Sequence, residues 1–563
     1  GDTQRVRQAL QKALARRLSL EPFLREFVRD FVASRGIVDT SPTPTGLTEL
    51  DDFTGDFALV KRLEKKPVHE MLKACEPSSV VEDLTGDFTS RQDKSLVFGD
   101  TAAFDKPPAA AMQQSFETSL PTDRDSSYWR EPVMVRGCQG VLLQQAEKRG
   151  LIRVSLTLSE QDKGVLLQRL TSFLVDASSS KSEFDDLRRS LIQETLETHL
   201  LPLAYRRLKE QIRRRSERLV ARLAVHRLRR HTRVQPYVFS EAYVRSLRLD
   251  EDVEDVLDDE GHEARVPCVV AVSVGAHTEP SVVVAVDQHG HLLDVQALHH
   301  FKGRARSGAD EDSRDTQFQN SERDRLRKRS EDVQRLAKFL RKHMPSLVAV
   351  DASSHSSMRV LNAIYGEVIP EVPTAVPIQV MLVEATVSSA LSKQRFLAQQ
   401  LHERTSANAR LALSLARHCL NPVAELCQLA ISRTFDGAKM APLTEARDRE
   451  LPPTDGLYSL HLHPLLECIP KRIALQALER ELVRVVCLHG VDVNRMRRHP
   501  HLAAMLPFVC GLGPLEAERV FRFLKDREYV VSRAELRDAG LSESLFENCA
   551  GFLRVETTQQ MQR

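Results

Sequence analysis

The sequence predicts a multidomain protein of α and α/β class. It has a helical frame with one long spine helix, a five-stranded α/β domain, and a C-terminal pair of short helices joined by a tight hairpin. Three observations predict this. Residues 184–233 carry the longest helical period in the chain. Residues 266–300 give three apolar strand runs, and helix and strand alternate after them. In Val509-Cys510-Gly511-Leu512-Gly513-Pro514, two glycines flank one apolar residue, and a proline and a renewed helical pattern follow. At 563 residues, three or four domains are expected.

Residues 4–35 are helical by period. Leu10, Ala13, Leu14 and Leu18, then Phe23, Phe27 and Phe31, mark the apolar faces. Ser41-Pro42-Thr43-Pro44-Thr45-Gly46 breaks the pattern, and residues 1–83 read as one helical module. Residues 84–130 are rich in Ser, Thr, Asp and Pro and lack period, so they read as a surface loop or disordered insertion. Trp129, the only tryptophan, closes that stretch.

Residues 131–262 read as a helical region with the spine and an acidic linker. Leu201, Tyr205, Leu208, Ile212, Leu219 and Leu223 repeat at three- and four-residue spacings, with one turn skipped. From Leu203 to Arg233, twelve Lys/Arg stand against two Glu, a formal +10. Arg206, Arg207, Arg213, Arg214, Arg215, Arg218 and Arg222 are the candidate nucleic-acid contacts there. The competing reading is a solvated helix paired with acidic neighbours, and Asp250 to Glu260 holds eight carboxylates.

Val266–Val274, Ser281–Asp287 and His291–Leu298 read as strands, with a turn at Gln288-His289-Gly290. A charged loop over 303–320, a helix near 321–343, and strands at Ser346–Asp351 and Ile378–Glu384 follow. This is the strand order of the ribonuclease H-like fold, placed here over 263–440. Residues 441–555 form the last domain, with a strand-like His461-Leu462-His463-Pro464 near its start, and 556–563 a polar tail.

In the hairpin, Gly511 and Gly513 accept backbone angles that other residues resist, and Pro514 fits the first turn of a helix. This is the helix-hairpin-helix pattern, whose amides and second helix N-terminus suit a phosphate. Packing between domains is the alternative role. Leu515 and Glu516 stand where small or basic residues usually face DNA, and Gly540-Leu541-Ser542-Glu543, the second candidate hairpin, carries an acid too.

Composition narrows the function. Aromatic residues are 5%, too few for prominent base-stacking platforms, and the net charge is +2, so nucleic-acid affinity must come from local patches. No apolar run approaches the ~20 residues of a membrane span. The nine cysteines show no CxxC pair and read as reduced, buried thiols of a cytosolic or nuclear protein. His299-His300 and His461/His463 have no acidic or cysteine partner at metal-binding spacing. No metal or cofactor is expected. The chain opens on Gly1 inside a helical pattern, which reads as a piece of a longer protein.

The hairpin and its flanks, Gly490-Val491-Asp492-Val493-Asn494 and Phe546-Glu547-Asn548-Cys549-Ala550-Gly551-Phe552-Leu553-Arg554-Val555, resemble the suppressor-of-Ty-six family of eukaryotic transcription elongation factors and histone chaperones, relatives of bacterial Tex. Upstream, Lys65-Lys66-Pro67-Val68, Arg233-Val234-Gln235-Pro236-Tyr237 and the helix Leu411–Leu420 with Asn421-Pro422-Val423-Ala424-Glu425 resemble it as well. The resemblance implies a helix-turn-helix-like module over 1–83 and a YqgF domain of ribonuclease H-like fold. It implies nuclear action on chromatin with RNA polymerase II, histones or nucleosomes, and other elongation factors.

Ribonuclease H-like nucleases hold two metals between carboxylates, one in the first strand and another at the end of the fourth. Ser273 stands where bacterial relatives have the first Asp. Asp351 and Glu384 are the remnants, so no catalytic site is expected and the protein is read as a non-enzyme. A metal-dependent nuclease or resolvase is the alternative.

Overall fold

The computed structural model describes residues 2–46, 65–75, 132–174, 183–251, 266–275, 279–301, 316–373, 376–393, 406–431, 455–527 and 529–555. The expected insertion at 84–130 with Trp129, most of the acidic linker, and the tail lie outside these residues. The chain divides into two compact units. One is Gly1–Leu223 with His463–Ala474, and the other is Ala224–Leu462 with Leu475–Arg563.

The first unit opens with α1 (Asp2–Leu18) and α2 (Pro22–Arg35). Pro22 sits in the first turn of α2, and Leu24, Val28, Phe31 and Val32 form its buried stripe. Strands β1 (Ile37–Pro42) and β2 (Lys65–Pro67), helices α3 (Val68–Ala74) and α4 (Pro132–Lys148), and strand β3 (Ile152–Thr157) follow. β1 lies between β2 and β3, antiparallel to both. The Ser41–Gly46 stretch therefore ends a strand, which the periodicity missed because only six residues pair. After α5 (Glu160–Leu174), α6 (Glu183–Thr195) runs through a π-helical segment at Leu196–Leu200 into α7 (Leu201–Thr232). The turn skipped by the apolar pattern, between Ile212 and Leu219, is filled by Ser216, which is buried beside Gly140 with its hydroxyl 3.4 Å from the Cys75 sulfur. Leu196, Leu200, Leu208 and Ile212 pack with Phe31, Leu151 and Leu166 in one core.

The second unit holds the rest of α7 and α8 (Glu241–Glu251). Its sheet comprises β4 (Cys268–Ser273), β5 (Ser281–Asp287), β6 (Leu292–Leu298), β7 (Leu347–Asp351) and β8 (Gln379–Val383), in the order β6-β5-β4-β7-β8. β4, β5 and β6 are antiparallel neighbours, whereas β4, β7 and β8 run parallel. Every residue of β4 and β7 is buried, as expected of central strands covered on both faces. One face packs on α9 (Thr316–His343) and α10 (Ser357–Ala363) through Val270, Val272, Leu336, Leu340 and Val360. After α11 (Thr386–Ser392), α12 (Ala407–Leu420) covers the other face through Ala409, Leu413 and Ala416. The next helix, α13 (Pro422–Ala430), is buried at every residue. Pro422 starts it, and the Asn421 side chain accepts from the Ala424 amide at 3.0 Å.

His461–Pro464 is not a strand. Turns of 3₁₀ helix at Asp455–Leu460 and Pro464–Cys468 flank it, and His463 Nδ1 accepts from the Leu465 amide at 3.1 Å. A proline that can start a helical turn outweighed the apolar alternation. Beyond it come α14 (Lys471–His489), β9 (Val491–Asp492), α15 (Val493–Arg498), a 3₁₀ helix at Pro500–Phe508, α16 (Gly513–Asp526), a 3₁₀ helix at Arg533–Ala539, α17 (Glu543–Cys549) and β10 (Leu553–Arg554). β9 and β10 pair in parallel, Val491 with Leu553 and Arg554 with Asp492. The two strings flanking the hairpin in sequence thus meet in one ladder.

Candidate nucleic-acid interface and the strand-end carboxylates

On α7 the candidate arginines separate into two sets. Arg213 donates to Glu210 at 2.5 Å and to Glu217 at 2.9 Å, and Arg214 donates to Glu210 at 2.6 Å. These arginines hold the Glu210 carboxyl down at about 2. Glu217 is buried, and burial raises its carboxyl despite Arg213. Arg215 reaches the Leu72 carbonyl at 3.4 Å. Arg213 and Arg215 therefore serve the protein itself.

Arg206, Arg207, Arg218 and Arg222 are exposed and carry no ion pair among the described residues. Arg207, Arg214, Arg218 and Arg222 are spaced seven, four and four residues apart, so they share one face over about 22 Å. Arg206 lies about 100° round the helix from Arg207.

The hairpin takes the expected backbone, with Gly511 at φ 89° and Gly513 at φ 64°. Its first helix is the 3₁₀ segment Pro500–Phe508 and not an α-helix. Two hairpin amides are already used: Cys510 donates to the Cys487 sulfur at 3.4 Å and Leu512 to the Val509 carbonyl at 3.1 Å. Glu516, in the first turn of α16, pairs with Arg519 at 3.0 Å, and Glu518 pairs with Arg522. At the start of α16, acids and bases thus pair with one another, Arg519 with Glu516 and Arg522 with Glu518.

The strand ends of the second unit gather some of the expected remnants and not others. Ser273 and Asp351 lie one step beyond the paired Val272 and Val350 on adjacent parallel strands. By alternation both face the α12 side with Ala271 and Ala349. Both are buried, and the Ser273 hydroxyl has no hydrogen-bond partner among the described residues. The Asp351 oxygens accept from the Ser353 amide at 2.8 Å and the Ser353 hydroxyl at 2.9 Å, while burial raises the carboxyl. Glu384 lies past the end of β8, is exposed, and accepts from the Thr386 hydroxyl at 2.7 Å. Its charge acts on His231 and His418. Among the described residues no group of three His, Cys, Asp or Glu is arranged to hold a metal ion.

Sequence reasoning missed one cluster. His289 and His291, either side of Gly290 in the β5–β6 turn, meet His499 and His501 from the start of the 3₁₀ helix. The rings of His289 and His499 stack with centroids 4.5 Å apart, and His291 Nε2 hydrogen-bonds His499 Nδ1. Gly290 is required there, because a Cβ would meet the His501 ring at 2.5 Å. Buried Arg417 donates to the Gly290 carbonyl at 2.8 Å. The available signal was a pair of His-x-His strings about two hundred residues apart.

The fold and these surfaces define a multi-unit α and α/β protein with a helix-hairpin-helix region. A family profile described as "Helix-hairpin-helix motif" matches residues 455–556. Over about three quarters of its length the chain is similar to suppressor-of-Ty-six proteins. It is 24% identical to the Suppressor of Ty 6 homolog of Caenorhabditis briggsae over 73% of this chain and 25% of that protein. It is 24% identical to the transcription elongation factor SPT6 homolog of Arabidopsis thaliana over 74% of this chain and 23% of that one. It is 26% identical to transcription elongation factor SPT6 of Mycosarcoma maydis, over 74% and 23%. The chain thus spans about a quarter of the length of these relatives.

Proposed function

We propose that this chain is the non-catalytic scaffold core of a nuclear transcription elongation factor and histone chaperone, working on chromatin with RNA polymerase II, nucleosomes and other elongation factors. The similarity to named elongation factors supports the elongation role. Within the second unit, residues 263–440 are its ribonuclease H-like, YqgF-type domain. The sheet order β6-β5-β4-β7-β8, with only β5 antiparallel to both its neighbours, supports that assignment.

Nucleic acid is bound by the α7 face of Arg207, Arg214, Arg218 and Arg222, with Arg206 beside it, and not by the hairpin. The observation that carries this is the division of the arginines. Among the described residues Arg206, Arg207, Arg218 and Arg222 are exposed and have no ion pair, whereas the hairpin presents Glu516, paired with Arg519, and has spent two amides. Unpaired surface arginines release condensed counterions when they meet phosphates. The nuclease alternative needs a first-strand carboxylate, and Ser273 supplies none.

Titration of labelled single- and double-stranded DNA at two salt concentrations with Mg²⁺, with a gel of the same samples, tests the reading. Salt-sensitive binding without cleavage is expected. Salt-insensitive binding, or none at low salt, would move the scaffold role to protein partners alone. Metal-dependent cleavage that vanished in Asp351→Asn would restore the nuclease.

A further inference from the structure

The hairpin also gathers three cysteines. Cys510, just before Gly511, is exposed; Cys487, near the end of α14, is half-buried; Cys549, which closes α17, is buried. This corrects the expectation of uniformly buried thiols. The Cys510 amide lies 3.4 Å from the Cys487 sulfur, and the Cys510 sulfur is three bonds from that nitrogen. The Cys510 backbone therefore lies against the Cys487 side chain. Cys549 is less well placed. Its thiol donates to the Phe546 carbonyl of its own helix at 3.6 Å, and its neighbour Asn548 fills the space beside Gly511, where a Cβ would meet it at 3.1 Å.

We propose that Cys487 and Cys510 form a peroxide-responsive thiol pair that fastens the helix-hairpin-helix loop to the end of α14. Exposure makes Cys510 the sulfur that meets peroxide, while Cys487 is half-buried and burial raises its thiol. The Cys510 sulfur attacks one oxygen of hydrogen peroxide and breaks the O–O bond. The sulfur becomes a sulfenic acid, and the other oxygen leaves as water with the thiol hydrogen. The Cys487 sulfur then displaces the sulfenic hydroxyl, which departs as the second water with the Cys487 hydrogen. One S–S bond forms, and two electrons pass from the thiols to one peroxide molecule. The proposal does not depend on what the hairpin binds.

The test treats the whole chain with hydrogen peroxide, blocks remaining thiols and maps tryptic peptides without reduction. Peptides 485–495 and 499–519 carry Cys487 and Cys510, and peptide 538–554 carries Cys549. The expected product is 485–495 joined to 499–519, two hydrogens lighter than their sum and split by dithiothreitol. Cys487→Ser should leave Cys510 as a sulfenic acid that dimedone labels, and Cys510→Ser, a change at an exposed site, should abolish the link. A link from 499–519 to 538–554, a disulfide between two chains, or Cys510 oxidised to sulfinic acid with Cys487 still free would each overturn the proposal.

Discussion

Asn494 acts as a backbone substitute. Its side-chain amide donates to the Val530 carbonyl at 3.0 Å, and its carbonyl accepts from the Val530 amide at 3.0 Å, both buried. Asn494→Leu should strand both Val530 groups and cost about 3 kcal/mol, read as a lower denaturant midpoint in chemical unfolding. An unchanged midpoint would mean that Val530 is not held this way. Ser273 offers the opposite case. Its hydroxyl has no partner, so Ser273→Ala should stay within about 1 kcal/mol of the parent chain. Ser273→Asp should lose about 2 kcal/mol or more at neutral pH, because it buries a second carboxylate on the face of Asp351. Thermal melts of the two variants side by side decide this; equal stability would place the residue 273 side chain in water.

At the level of elements, α7 does two jobs on two faces. Arg213 compensates buried Glu217 on the inner side, and Arg207, Arg218 and Arg222 face outward without ion pairs among the described residues. Replacing those three by Gln should lower the slope of log affinity against log salt by about 3, with little change in stability. Arg213→Gln should leave the slope alone and cost about 2 kcal/mol, since Glu217 loses its charged partner. Identical slopes in the parent and the triple variant would remove α7 from the nucleic-acid face. The hairpin makes a separate prediction. Gly511→Val forces a branched side chain to a positive φ and against Asn548, and should cost about 2 kcal/mol in thermal unfolding without altering the salt slope.

Across the molecule, acid should destabilise the second unit. Burial lowers His499 to about 3, His418 to about 4, and His501 well below the ordinary range; His289 is lowered too. The surrounding charges are Asp287, Arg417, Arg495 and Arg498. A histidine depressed in the folded state is neutral there, while the unfolded chain takes up a proton near pH 6.5. Stability is therefore complete above about pH 6.5 and falls as the pH drops towards the folded-state values. Glu425 opposes this. Burial raises it to about 7, so it favours folding more as pH falls from 7 towards 4.5. Asp351 and Glu479, raised by burial too, act with Glu425; the four histidines outweigh these three carboxyls, and the melting temperature should drop by about 4 °C or more between pH 7.5 and 5.5. A flat profile would mean that the histidine cluster is open to solvent.

The sequence by itself determined the periodic elements. The five strands fall within two residues of their expected ends, because six-residue apolar runs bounded by turn residues leave a chain few other choices. Gly-Leu-Gly-Pro dictated the hairpin through its backbone angles. The similarity to the suppressor-of-Ty-six relatives was also legible, since it rests on strings of residues. What only the tertiary structure decided is pairing across long separations. Periodicity put Arg213 and Arg218 on the same helix with the same charge; only packing told the one beside a buried glutamate from the one facing water. The two His-x-His strings carry no local signal of each other, and the Cys487–Cys510 approach depends on how α14 ends against the hairpin. The short β1, β2 and β3 likewise form through partners up to about 120 residues away, as Ile37 pairs with Thr157. Periodicity reports which face of an element is apolar, whereas the partner of a polar group is set by whatever the fold brings opposite it.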